Sequence, residues 1–201
     1  AMAASTFTFT ISSPTAYVSL PSSRSIAGLG MISGTVQEQN SAVITNVEVA
    51  VKRLSDQKWY DGAGFNTPPG APSWRTKAGL GGSSPWAWTY TELTNGKLTH
   101  GTSYYVQARA YDDAGNLQEV FSVGTATFTY DVSRPSGVVL YPLNQAYRRA
   151  GQLVTLSGTA ADEVDQVTIM RIGLQRLSDG YWYDDPDVPG DGYGNWTQSG
   201  S

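Results

Sequence analysis

Carboxylates and tryptophans are the side chains of this sequence best placed to do chemistry. Asp131, Asp162, Glu163 and Asp165 form one acidic group, and Asp184, Asp185, Asp187 and Asp191 form a second inside a Pro/Gly-rich stretch. Calcium takes about six to eight oxygens from carboxylates and carbonyls on flexible loops, so it is the ion such groups would hold. The second group lacks the spacing and terminal glutamate of an EF-hand loop. The plainer reading of either group is a solvated acidic loop. Trp59, Tyr60, Trp86 and Trp88 border a long Gly/Pro/Ser-rich segment, residues 62–85. Aromatic faces of this kind stack on sugars or anchor protein partners. The plainer reading packs them beneath the 62–85 loop as a satellite core. Along a strand, adjacent Trp59 and Tyr60 must point to opposite faces, whereas Trp86 and Trp88 share one.

Catalytic inventories are thin. His100, in a predicted turn beside Gly101, is the single histidine and there is no cysteine, so a Cys/His pair is excluded and no second histidine is available for a Ser/His one. No Gly-x-Ser-x-Gly elbow and no phosphate-cradling loop occurs. A carboxylate pair for glycoside chemistry is the one enzymatic arrangement the residue types still permit. Solvated turns account for the same Asp pairs, so the chain is expected to be non-enzymatic, with calcium as its one candidate cofactor.

The bulk numbers point the same way. Of 201 residues, 40% are hydrophobic and 15% charged, which suffices for a packed core. A net charge of −4 offers nothing to wrap nucleic acid or dock on an anionic membrane. No apolar run approaches the length of a membrane-spanning helix. The opening Ala-Met-Ala-Ala-Ser has neither the basic nor the apolar region of a secretion signal. Thr, Val, Tyr and Trp are abundant and suit a pleated, half-buried surface.

An internal repeat organises these elements. Arg53-Leu54-Ser55-Asp56, followed after two residues by Trp59-Tyr60-Asp61, returns as Arg176-Leu177-Ser178-Asp179 and Trp182-Tyr183-Asp184. Thr6-Phe7-Thr8 returns as Thr127-Phe128-Thr129, Pro14 and Pro21 as Pro135 and Pro142, and Ile32-Ser33-Gly34-Thr35 as Leu156-Ser157-Gly158-Thr159. The period is about 122 residues. The second copy stops soon after Trp196, the counterpart of Trp74. The expected division is therefore a complete repeat over 1–125 and the first part of another over 126–201. Strands are expected at 6–10 with 15–20, 29–36, 46–54, 86–93, 103–111 and 117–129, with Val47, Val49 and Val51 alternating inward. Ser55–Lys58 reads as a turn, made in the second copy with the better residue Gly180. No segment shows convincing helical periodicity, so an antiparallel β-sandwich is expected.

Gly101, Tyr104 and Val106 look like the Gly-x-x-Tyr-x-Cys corner of an immunoglobulin strand F, with valine in place of cysteine. Ala110-Tyr111-Asp112-Asp113-Ala114-Gly115-Asn116 resembles the end of that strand in bacterial Ig-like repeats of large surface and adhesin-type proteins. Tyr130-Asp131-Val132-Ser133-Arg134-Pro135 resembles their linker. The resemblance implies an all-β fold of tandem immunoglobulin-like antiparallel sandwiches, the second incomplete. It also implies a structural or adhesive module at the cell surface, touching neighbouring repeats or copies of itself, a surface glycan or a protein. Two other functions fit the residues. One is a carbohydrate-binding module using the tryptophans. The other is a self-assembling filament subunit whose half repeat is completed by a donated strand, because a half sandwich leaves apolar faces and open edges.

Overall fold

The computed structural model of the chain describes residues 12–38, 42–76, 79–119, 121, 124–143, 155–183 and 196–197. Two compact units are present: Ala1–Arg134 with Glu163–Asp165, and Pro135–Asp162 with Gln166–Ser201. The boundary at Arg134/Pro135 lies later than the 125/126 division suggested by the repeat. The difference has a physical cause: Thr127-Phe128-Thr129 is hydrogen-bonded into the first unit, and Phe128 is fully buried there. The repeated text and the packed unit are phased differently.

In the first unit the strands are β1 (Thr15–Leu20), β2 (Ser25–Ile26), β3 (Ile32–Gln37), β4 (Ile44–Arg53), β5 (Gly79–Gly81), β6 (Trp86–Tyr90), β7 (Thr102–Asp112) and β8 (Thr125–Tyr130). A 3-10 turn, Asn95–Lys97, is the one helical element among the described residues. The strands make two four-stranded sheets, ordered β1-β3-β6-β5 and β2-β8-β7-β4. Every pairing is antiparallel except β2 with β8, where Ser25 and Ile26 run parallel to Thr129 and Tyr130.

Period-two alternation decides which side chains go inside. Along β7, Tyr104, Val106, Ala108 and Ala110 are buried, and opposite them on β4 stand Val47, Val49 and Val51. Ala16, Ile32, Val36, Trp88 and Tyr90 from the other sheet close on the same core. Gly34 sits directly across from Trp88 on β6. A Cβ at residue 34 would lie 2.6 Å from the indole, so this glycine makes room for the ring. Tyr104 stacks on Phe128 with ring centroids 5.4 Å apart, and its hydroxyl accepts the backbone N–H of Thr99 at 2.8 Å.

The structure departs from the sequence expectation at several points: the strand expected at 117–129 begins only at Thr125, with Leu117 making an isolated bridge to Tyr111. The stretch at 62–85 is not wholly loop: it contains β5, and Arg75 bridges to Val49. The short β2 follows Pro21, carrying the chain from the first sheet to the second. Two residues give too little periodicity to read in a sequence.

The second unit contains β9 (Ser136–Tyr141) paired antiparallel with β10 (Ser157–Ala161), and β11 (Trp182–Tyr183) paired with β12 (Trp196–Thr197). The β9–β10 pair reproduces β1–β3 down to its irregularity. In the first unit Val18 faces Gly34 and Leu20 faces Ser33, with Ser19 skipped. In the second, Val139 faces Gly158 and Tyr141 faces Ser157, with Leu140 skipped.

Candidate functional site

The repeated Arg-Leu-Ser-Asp segment folds the same way in both units. Arg53 forks onto Asp56 through Nε (3.0 Å) and Nη2 (2.6 Å), and the Arg53 N–H donates to Lys58 O across the turn. Arg176 forks onto Asp179 (2.9 Å from Nε, 2.5 Å from Nη2), and its N–H donates to Tyr181 O. Gln57 holds a left-handed φ of 60°, where the second unit has Gly180 at 77°. The hydrogen bond from Arg53 pulls the Asp56 carboxyl down to about 2. Arg176 lowers Asp179 in the same sense. Asp61 is lowered by the backbone N–H groups of Gly64 and Ala63, which it accepts at 2.8 Å each. These carboxylates are turn closures, already committed to donors.

Burial overturns most of the expected aromatic platform. Trp59, Tyr60 and Trp88 are 4%, 1% and 1% exposed and have no face to offer a sugar. Tyr60 turns into the core and its hydroxyl donates to Gly62 O at 2.8 Å. Trp59 takes the opposite face and is covered by the returning chain: its Nε1 donates to Gly70 O, and Lys52 Nζ lies 5.3 Å from its ring centroid. Trp88 lies over Gly34 and donates to Thr35 O. Trp86 is half-buried against the core.

The acidic groups divide similarly. Asp131, Glu163 and Asp165 belong to the first unit and Asp162 to the second. Asp131 Oδ1 accepts from Ser133 N (2.9 Å) and Ser133 Oγ (2.5 Å), closing its own turn. His100 Nδ1 lies 3.5 Å from that oxygen and accepts the N–H of Val132, and its Nε2 is 3.6 Å from Glu163 Oε2. Among the described residues no group of three or more His, Asp or Glu side chains is gathered to hold a metal ion. Asp184, Asp185, Asp187 and Asp191 lie outside the described residues.

Two arrangements were not legible beforehand. The first is a polar cluster on the outer face of β4 and β7. Arg109 Nε donates to Glu48 Oε2 at 2.6 Å while its guanidinium lies 4.2 Å from the Trp74 ring centroid. Thr76 and Tyr111 donate to the same carboxylate. Glu48 and Arg109 stand opposite each other on antiparallel strands, a pairing visible only once register is known. The second is an apolar groove of about 230 Å³ in the second unit, lined by Val139, Leu156, Gly158, Met170, Ile172 and Leu174 among others.

No family model matches the chain, and no curated protein matches it.

Proposed function

We propose that the chain is a non-enzymatic structural or adhesive module of an extracellular bacterial surface protein, built from tandem immunoglobulin-like repeats of which the second is incomplete. The observation that carries this reading is the strand order of the first unit. One sheet, β1-β3-β6-β5, follows the A-B-E-D order of Ig-like sandwiches, and β4-β7-β8 in the other follows C-F-G. The bond from Thr99 N–H to the Tyr104 hydroxyl is what a tyrosine corner at the start of strand F makes. The repeated β-pair and the repeated Arg–Asp turn support a tandem arrangement.

A spacer must carry tension. β2 runs parallel to β8, and Thr129 N–H and Asp131 N–H donate to Arg24 O and Ile26 O at 2.7 and 2.9 Å. Pulling the start of one parallel strand against the end of the other loads these bonds together, in shear, rather than one at a time. Stretching the chain by its ends in an atomic-force instrument tests the reading. We expect a single cooperative rupture of the first unit, releasing on the order of 400 Å for Thr15 to Tyr130 at full extension. Gradual lengthening without a distinct rupture would overturn it.

A further inference from the structure

Asn95 is the one asparagine of the chain followed by glycine. The backbone nitrogen of the next residue can attack a side-chain amide, because closing the five-membered ring is an intramolecular reaction with a high effective concentration. Glycine leaves that nitrogen unshielded and the backbone free to turn towards it. Asn46, Asn66 and Asn116 precede Val47, Thr67 and Leu117, whose bulk stands in the way. Asn95 and Gly96 are both exposed, at the start of the 3-10 turn. Nothing lies within 4 Å of a Cβ position at Gly96. Among the described residues neither a backbone acceptor nor a side-chain cap takes the Gly96 N–H, so a base can reach it. The other reacting atom is prepared as well. Leu29 N–H donates to Asn95 Oδ1 at 2.6 Å. This donor draws electron density from Cγ and faces the negative charge that the oxygen gains when Cγ is attacked. Asp61-Gly62 and Asp179-Gly180 could close the same ring, but their carboxyls are held in the ionised form. Asp61 accepts the N–H groups of Ala63 and Gly64, and Asp179 is gripped by Arg176. A carboxylate is a far poorer electrophile than an amide.

We propose that Asn95 is a self-modification site, converted without an enzyme to isoaspartate and aspartate, and that the isoaspartate form releases Leu29. The Gly96 nitrogen loses its proton to a base such as hydroxide and bonds to Asn95 Cγ. The Cγ–Nδ2 bond breaks, and Nδ2 departs as ammonia. The resulting succinimide takes up one water. Opening at Cγ gives aspartate, whereas opening at the main-chain carbonyl gives isoaspartate, with the chain running on through Cβ and Cγ. Lys97 N–H to Thr94 O and Leu98 N–H to Asn95 O, both 3.0 Å, close the turn and must open before the ring can form. The reaction is therefore slow. Its two products differ in consequence. Aspartate keeps an oxygen where Leu29 N–H needs one. Isoaspartate adds a carbon to the backbone and shifts the carboxylate, so the tie between the β2–β3 connection and the turn is lost. Leu29 is only 6% exposed, and its N–H is then left without this acceptor.

The test is to age the intact 201-residue chain in mildly alkaline buffer at body temperature, then digest it with trypsin and weigh the peptides. The peptide over residues 78–97 contains Asn95 as its one amide side chain. We expect it to gain the mass difference between O and NH and to split into aspartate and isoaspartate forms, ahead of any change at Asn46, Asn66 or Asn116. Gly96→Ala should slow the gain about tenfold or more. The space around Gly96 is open, so that substitution spares the fold. Once the isoaspartate peptide predominates, hydrogen exchange should show the Leu29 amide less protected than in fresh chain. Asn95→Asp, which keeps the acceptor in place, should leave that protection intact. No mass gain at Asn95, or a gain that Gly96→Ala does not slow, overturns the proposal. A Leu29 amide equally protected in aged and fresh chain overturns the release.

Discussion

Adding one methyl group at Gly34 should cost the first unit more than most truncations of its surface. A Cβ there collides with the backbone carbonyl of Tyr17 and lies 2.6 and 2.8 Å from two atoms of the Trp88 indole. The carbonyl belongs to β1, paired with β3 on both sides of this point, and cannot swing aside as a flexible side chain would. The indole is 1% exposed and hydrogen-bonded to Thr35 O, so it has no free rotamer to retreat into. Overpacking of a close-packed interior costs about 1–3 kcal/mol. With backbone as the obstacle, we place Gly34→Ala near the upper end, about 3 kcal/mol. Dividing by a urea m-value of about 2 kcal/mol/M lowers the midpoint by about 1.5 M. The assay is urea unfolding followed by tryptophan fluorescence, with Gly30→Ala as reference. Gly30 has nothing within 4 Å of its Cβ position, and removing a glycine there restricts only the unfolded chain. A Gly34→Ala midpoint indistinguishable from that of Gly30→Ala would refute the close approach of Gly34 and Trp88.

Tyr104→Phe removes the hydroxyl that accepts Thr99 N–H and should cost about 1–1.5 kcal/mol, read from the same urea midpoints. Arg109→Lys keeps the charge but loses the planar stack on Trp74. It should cost about 1 kcal/mol, partly recovered in a Trp74→Leu background where the stack is already gone. Asp56, Asp61 and Asp179 all have carboxyls held below the ordinary 3.8 by hydrogen bonds in the folded state. Their contribution to stability is complete above about pH 4 and is lost as the pH falls towards 2. Urea midpoints should fall through that window, and Asp56→Asn should flatten the fall. Millimolar calcium should leave the melting temperature of the first unit unchanged, because Asp131 Oδ1 is engaged by Ser133. A rise in melting temperature would show that the acidic residues regroup around the ion.

Much of the sandwich was written in local alternation. The inward valines of β4 and the buried stripe from Tyr104 to Ala110 on β7 are periodic over enough residues to be read directly. The Arg–Asp turns were legible because a second copy presents Gly180 where the first strains Gln57 into a left-handed conformation. What could not be read depended on contacts distant in sequence. Trp59 and Trp88 carry the same side chain as any sugar-stacking tryptophan; only the chain returning through Gly70 and the bare backbone of Gly34 hide them. The Glu48–Arg109 pair is 61 residues apart and has no local signature. The groove on the second unit follows from comparing two copies in three dimensions, since its residues are ordinary core residues by type.

The edge of β4 has a meaning for synthesis rather than for stability. That strand ends its sheet, yet Val49 exchanges both backbone hydrogen bonds with Arg75, and Lys52 bridges to Trp59. A chain that carries similar repeats one after another presents each emerging strand with near-identical competitors at an effective concentration of about millimolar. Cross-pairing between neighbours is the characteristic folding error of such arrays. By folding Arg75 against Val49 and Trp59 against Lys52, the first unit occupies backbone groups that an open edge would offer to another strand. The connection between β4 and β5 thus covers an edge as well as joining two strands.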